Sequence, residues 1–195
     1  MKKIVLIFLL AVVAIYAGFF RDGEKIANYP SDNEGIVAFG DSLVEGIGSS
    51  KSGGFVTLLS EDLDVPIKNL GLSGDTTKAA LARIGDVTAR PPALTIVLLG
   101  GNDYLQRIPP VETIGNVEKI IQEIQAVGSA VVLVGLGSGV EFEDLAERYK
   151  CAYVPDVLSG IYGNAALMSD SLHPNDEGYR LMVERIKPVV DNLVD

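Results

Sequence analysis

The residues best suited to chemistry in this chain lie near its two ends. The only histidine, His173, follows Asp170 by three residues, and Ser42 follows the short apolar run 36–39 near the other end. A serine hydroxyl becomes an effective nucleophile when a neighbouring base takes its proton, and a carboxylate that orients the base completes the set. The pattern therefore predicts acyl transfer, provided that the two ends of the chain meet in space.

Each of these three residues has a candidate role. Ser42 is the predicted nucleophile, and His173 is the predicted base, because histidine is the side chain whose ordinary pKa lies near neutrality. Asp170 can hydrogen-bond the second ring nitrogen, which fixes the tautomer and stabilises the imidazolium. A separation of three residues allows Asp170 and His173 to come from one loop.

A tetrahedral intermediate also needs hydrogen-bond donors for its negatively charged oxygen. Gly74 has no side chain, so its backbone N–H can approach closely, and Asn102 can offer its side-chain amide. The backbone N–H of Ser42 is the third candidate. Loss of one such donor typically costs about 10²–10³ in rate.

The elements that must position these residues alternate along the chain. Strands are predicted over 36–39, 66–70, 94–99, 130–134 and 152–154, and helices over 55–63, 79–87, 114–127, 142–149 and 179–190. This alternation is typical of an α/β fold in which helices cover both faces of a parallel, five-stranded, flavodoxin-like sheet. Functional groups of such sheets lie beyond the carboxyl ends of the strands, so we expect the candidate loops to share one edge.

Composition and motifs exclude several function classes. The net charge of −10 argues against a nucleic-acid partner, which would require a basic surface. The glycines at 135, 137 and 139 do not form a dinucleotide fingerprint, because its third glycine would fall at Val140. One histidine and scattered carboxylates make a poor metal site, so no metal is predicted.

The first twenty residues differ from the rest. Lys2 and Lys3 precede an uncharged stretch from Ile4 to Phe20, whose length lies between a signal-peptide core and a spanning helix. We predict a membrane anchor or signal peptide over 1–20, with the uncleaved anchor favoured, a linker over 21–34 and one domain over 35–195. The leading lysines favour an extracytoplasmic domain in the periplasm or at the cell surface, associated with the membrane through residues 4–20.

The candidate loops resemble the four blocks that define the GDSL, or SGNH, hydrolase family, over roughly Ile36 to Val190. The positions that match its GDS, second-block glycine, GxND and DxxH motifs are Ser42, Gly74, Asn102, Asp170 and His173. The surrounding sequence is similar to the arylesterase, thioesterase I and lysophospholipase L1 branch. The resemblance implies a three-layer α/β/α sandwich without metal or organic cofactor. It also implies a serine esterase that hydrolyses acyl esters, aryl esters, lysophospholipids or thioesters through an acyl-enzyme on Ser42.

One segment departs from that branch, and two other interpretations remain open. The segment between the fourth strand and the next helix, 135–140, is shorter than usual in the branch, so we expect a more open acyl pocket. A carbohydrate O-acetylesterase acting on envelope polysaccharide would use the same triad. A non-catalytic flavodoxin-like module is disfavoured, because it does not need the four motifs together. Asp41 and Asp103, beside motif residues, are interpreted as carboxylates that stabilise the loops.

Overall fold

The sheet consists of five parallel strands, in a computed structural model that describes residues 25–137 and 140–194. The strand order is β2-β1-β3-β4-β5, the flavodoxin-like order, which confirms the predicted α/β class. The strands are β1 (Ile36–Gly40), β2 (Ile67–Gly71), β3 (Leu94–Leu98), β4 (Ala130–Val134) and β5 (Ala152–Val154).

The helices within the described residues agree with the predicted pattern, with two differences. They are α1 (Ser42–Glu45), α2 (Gly54–Leu63), α3 (Thr77–Ala82), α4 (Gly85–Thr88), α5 (Gly101–Leu105), α6 (Pro110–Ala126), α7 (Glu143–Tyr149) and α8 (Asp176–Asp191). The helix predicted over 79–87 is in fact two short helices, α3 and α4. Helices α1 and α5 were not predicted, because four or five residues are too few for an apolar repeat of 3.6 to be recognised.

The sheet separates two apolar cores, as a three-layer sandwich requires. Successive side chains of a strand point to opposite faces. Accordingly, Ala38 packs in one core with residues of α2 and α8, whereas Val37 and Phe39 pack in the other with residues of α6 and α7. The central strands β1, β3 and β4 are buried along their whole length, and the edge strand β2 is partly exposed. Burial on both faces explains why the central strands are almost entirely apolar. The exception is Thr95 of β3, whose hydroxyl lies 2.9 Å from the Ser129 hydroxyl.

Strand register brings the first three strand–helix loops to one edge. Gly40, the last residue of β1, pairs with Gly71 of β2 and with Leu98 of β3. A Cβ at Gly40 would collide with the Leu98 carbonyl oxygen, and one at Gly71 would collide with the Glu45 backbone nitrogen. These two glycines therefore let the chain turn tightly at the edge where Ser42 lies.

Residues 25–34, the described part of the predicted linker, pack against the domain. The Ala27 N–H donates to the Lys150 carbonyl at 2.9 Å, and Ser31 Oγ donates to the Gly128 carbonyl at 2.7 Å. The anchor or signal predicted over 1–20 lies outside the described residues and stays a prediction. No helix within residues 25–137 and 140–194 is both long and apolar enough to cross a membrane.

Candidate active site

Ser42, His173 and Asp170 form a continuous chain of hydrogen bonds. Ser42 Oγ lies 3.1 Å from His173 Nε2, and His173 Nδ1 lies 2.8 Å from Asp170 Oδ2. Ser42 and His173 are separated by 131 positions in sequence. The fold therefore brings together the nucleophile, base and orienting carboxylate that the sequence predicts, at distances suitable for proton transfer.

Asp170 is held as an ionised acceptor by its own loop. Its Oδ1 atom accepts the backbone N–H groups of Leu172 at 2.7 Å and His173 at 2.8 Å. The side-chain hydrogen bond from His173, together with these two backbone bonds, lowers the pKa of Asp170 from 3.8 to about 2. Asp170 therefore stays negatively charged across the neutral range and accepts from the Nδ1 proton of the imidazole.

Ser42 begins the short helix α1, and Asp41 fixes that position. The Asp41 carboxylate accepts the Leu43 N–H at 3.0 Å as the N-cap of the helix, and its carbonyl accepts the N–H of Glu45. These bonds agree with the loop-stabilising role predicted for Asp41. Ser42, the candidate nucleophile, is therefore held by backbone geometry at the carboxyl end of a buried strand.

Burial, and to a smaller extent the negative charges of Asp75 and Asp103, raise the pKa of Asp41 from 3.8 to about 7. The hydrogen bond from Leu43 N–H and the proximity of His173 act in the opposite direction. Asp41 is only 1% exposed. Its carboxyl thus prefers the neutral form in the folded protein up to about neutral pH.

Replacement of Asp41 by asparagine should stabilise the fold increasingly as the pH rises. Since the folded pKa exceeds the unfolded value, the stabilising contribution of Asp41 is present below pH 4 and is lost as the pH rises through about 7. Asparagine keeps an oxygen for the Leu43 N–H and carries no charge. Urea unfolding of both proteins should show a difference in unfolding free energy that grows by about 3 kcal/mol from pH 4.5 to pH 8. A difference in unfolding free energy that does not change with pH would show that it does not come from the ionisation of Asp41.

The candidate oxyanion donors lie in neighbouring loops. Asn102 Nδ2 donates one hydrogen to the Asp75 carbonyl at 3.0 Å, which leaves its second amide hydrogen for another acceptor. Within the described chain, no hydrogen bond uses the backbone N–H groups of Ser42 or Gly74. Asn102 and Ser42 line the same cavity, whereas Gly74 is not among its lining residues. All three groups therefore have hydrogens available.

Gly74 is required by conformation rather than by close packing. Its φ of +85° lies in the left-handed region, and a Cβ added there would meet no atom within 4 Å. The absence of a side chain at Gly74 is expected from the sequence to allow close approach of a ligand, and the left-handed φ is a second reason for glycine at this position. The preceding residue is also fixed, since the Ser73 N–H donates to Glu45 Oε2 at 2.7 Å.

Arg83 supports the same loop and was not identified from the sequence. Its Nε lies 2.6 Å from Asp75 Oδ2, and its Nη2 donates to the carbonyls of Gly40 and Leu70 at 3.0 and 3.1 Å. The guanidinium also lies 4.4 Å from the centroid of the Phe39 ring. Its position in the largely apolar segment 79–87, which was predicted as one helix, was the one available signal, because a charge there needs a partner.

Asp103 anchors the start of α3, in agreement with its predicted stabilising role. It is 1% exposed, and its Oδ2 accepts the Thr77 N–H at 2.8 Å. Its Oδ1 accepts the hydroxyls of Thr77 and Thr113. This network joins the loops that carry Gly74 and Asn102.

A cavity of about 310 Å³ opens beside the Ser42 hydroxyl. Its wall includes Asn102, Tyr104, Leu105, Leu136, Asp156 and Tyr162. None of these except Asn102 was predicted as a site residue, because none of the others belongs to a sequence motif. Tyr104 and Leu105 lie in α5 with Asn102, and Leu136, Asp156 and Tyr162 come from other segments. No cluster of three or more metal-binding side chains occurs within residues 25–137 and 140–194.

Sequence comparison places the chain among ester hydrolases. Residues 38–181 match the GDSL-like Lipase/Acylhydrolase family. Esterase TesA of Pseudomonas aeruginosa is 30% identical over 178 residues, which cover 82% of this chain and 89% of the relative. An arylesterase of Vibrio mimicus is 29% identical, with 78% and 86% covered. The thioesterase 1/protease 1/lysophospholipase L1 of Escherichia coli is 24% identical, with 80% and 85% covered.

Structural comparison agrees with the sequence comparison. The crystal structure of TesA superposes with a TM-score of 0.76 at 28% identity, and the alignment covers 83% of this chain and all of that one. The two chains therefore share the same fold.

Proposed function

Because the chain belongs to the GDSL-like lipase/acylhydrolase family and is a serine ester hydrolase, we propose that it acts through an acyl-enzyme on Ser42. The observation that carries this proposal is the hydrogen-bonded chain from Ser42 Oγ to His173 Nε2 at 3.1 Å, and from His173 Nδ1 to Asp170 at 2.8 Å. No other histidine is available in the sequence to act as the base.

In the first half-reaction, Ser42 Oγ attacks the carbonyl carbon of the ester while His173 Nε2 takes the hydroxyl proton. The ionised Asp170 stabilises the resulting imidazolium. The carbonyl oxygen becomes an oxyanion that accepts hydrogen bonds from Asn102 Nδ2 and from the N–H groups of Ser42 and Gly74. When the intermediate collapses, the bond to the leaving oxygen or sulfur breaks, and His173 gives that atom its proton.

In the second half-reaction, water replaces the leaving group. His173 takes a proton from the water as its oxygen attacks the acyl carbon, and the same donors hold the oxyanion. Collapse of this intermediate breaks the bond to Ser42 Oγ, which recovers its proton from His173. The products are a carboxylic acid and the regenerated enzyme.

The cavity favours substrates with small acyl groups. Its volume of about 310 Å³ lies at the lower end of the range for ligand pockets, and its wall includes the apolar side chains Leu105 and Leu136. Aryl and short alkyl esters fit these dimensions. The names of the relatives also make thioesters and lysophospholipids candidate substrates.

Measurement of kcat/KM for p-nitrophenyl esters from acetate to palmitate tests this assignment. We expect efficient hydrolysis of the short esters and a decline once the acyl chain exceeds the cavity, since further methylene groups gain no contact. An optimum at palmitate would contradict the size argument. Activity on acetyl esters alone, with acetate released from acetylated polysaccharide, would instead favour a carbohydrate O-acetylesterase.

A further inference from the structure

Asp156 places a carboxylate in the wall of the cavity that contains Ser42 and His173. It follows β5 by two residues, and its carbonyl accepts the Ser159 N–H at 3.2 Å in a turn. Its φ of 34° lies in the left-handed region, which aspartate and asparagine adopt more readily than most residues with a side chain. The backbone conformation at Asp156 thus sets the direction of the side chain that lines the cavity.

Gly137 makes room for the Asp156 carboxylate. A Cβ at Gly137 would collide with both Oδ1 and Cγ of Asp156, so the carboxylate occupies the space that a side chain at position 137 would take. Gly137 also has a φ of +68°. The segment after β4 and the turn after β5 therefore fit together around this negative group.

The Asp156 carboxylate has no positive partner in the described protein. Within residues 25–137 and 140–194, no hydrogen bond or ion pair to its oxygen atoms occurs, and no lysine or arginine lines the cavity. In the part of the protein that the structure describes, every buried side-chain oxygen atom has a hydrogen-bond partner. Since the carboxylate oxygen atoms of Asp156 have none, they are accessible to solvent. A bound molecule can therefore reach this carboxylate.

Two aromatic side chains belong to the same wall. Tyr104 and Tyr162 are 58% and 55% exposed, and both line the cavity. The face of an aromatic ring attracts cations, and alkylammonium groups in particular are bound by aromatic side chains. A carboxylate without a counter-charge, together with two accessible tyrosines, forms a chemical environment suited to an alkylammonium ion.

We propose that Asp156, with Tyr104 and Tyr162, forms a subsite for an alkylammonium group of the ester substrate. This proposal rests on the proposed hydrolysis at Ser42, and it adds a preference for esters with a positive charge in their alcohol or acyl part. The negative net charge of the chain, −10, favours the approach of such substrates.

Matched pairs of esters with and without the charge test the subsite. Butyrylcholine and 3,3-dimethylbutyl butyrate differ only by trimethylammonium in place of a tert-butyl group in the alcohol part. The p-nitrophenyl esters of 4-trimethylammoniobutanoic and 5,5-dimethylhexanoic acids make the same exchange in the acyl part. For each ester, kcat/KM is divided by the rate constant for its hydrolysis by hydroxide, which corrects for intrinsic reactivity. We expect this corrected kcat/KM to be about tenfold higher for the cationic ester than for the neutral ester of one pair. The pair that responds identifies which part of the ester lies at Asp156.

The variant Asp156→Asn removes the charge and keeps the shape, and asparagine tolerates the same backbone conformation. In Asp156→Asn, the ratio of corrected kcat/KM for the cationic ester to that for the neutral ester should be about tenfold lower than in the parent protein. Because both values are measured on the same protein, a general loss of activity does not change this ratio. Glu147→Gln is the matched control, because it removes one negative charge from a residue that does not line the cavity. It should retain the ratio of the parent protein.

A ratio near one for both pairs in the parent protein would overturn the subsite, as would a preference that survives in Asp156→Asn. Either result would leave the proposed function intact if the neutral esters are still hydrolysed in a Ser42-dependent manner. Absence of Ser42-dependent hydrolysis of the neutral esters would overturn the proposed function itself, and the subsite with it. Thermal unfolding of each variant shows whether it has folded.

Discussion

Replacing Ser42 by alanine should reduce kcat for p-nitrophenyl butyrate by about 10⁶-fold, because the atom that forms the acyl-enzyme is lost. The fold should persist, since Asp41 still caps α1 through the Leu43 N–H at 3.0 Å. The only hydrogen bond of Ser42 Oγ within the described residues is to His173 Nε2. Its removal leaves no buried group without a partner, because His173 is 18% exposed in its side chain.

Covalent labelling separates loss of the nucleophile from loss of structure. A fluorophosphonate should add one label to the parent protein and none to Ser42→Ala, as measured by intact mass. Ser73→Ala is the matched control, because it removes a serine hydroxyl from the adjacent loop. That hydroxyl donates to Glu45 and not to His173, so the Ser73→Ala protein should still take up one label. Labelling of Ser42→Ala, or its retention of full activity, would show that the nucleophile is another residue.

Replacing His173 by alanine should cause a loss of similar size, about 10⁶-fold in kcat, because a serine without its base is a weak nucleophile. His173 is the only histidine of the chain. The loop should keep its shape, because its bonds involve the backbone: the His173 N–H donates to Asp170, and its carbonyl accepts the Ser169 N–H at 2.9 Å. Steady-state kinetics and circular dichroism of the variant test both statements.

The sequence was sufficient for the fold class and the family, for physical reasons. Central strands buried on both faces must be mainly apolar, so β1, β3 and β4 were recognisable as short apolar runs, with Thr95 the one polar residue among them. The long helices α6 and α8 repeat their apolar residues over four or more turns. Short elements carry no such repeat, which is why α1 and α5 were not predicted and why α3 and α4 were predicted as a single helix.

The sequence also indicated which residues belong to the active site, but not what supports them. Ser42, Asp170 and His173 were recognisable because acyl transfer demands those residue types, and their loops are marked by glycine and proline. Arg83 and Asp156 carried no comparable signal. Their roles depend on partners distant in sequence: Arg83 contacts the Gly40 carbonyl, and Asp156 lies over Gly137.

The sequence by itself determined the α/β class, the family and the candidate catalytic groups, because these follow from local composition and short motifs. The tertiary structure alone decided that Ser42 and His173, 131 positions apart, meet at 3.1 Å. It also decided the shape and charge of the cavity beside them. A cavity is formed by loops that meet only when the sheet is assembled, so its wall is a property of strand order and register rather than of any one segment.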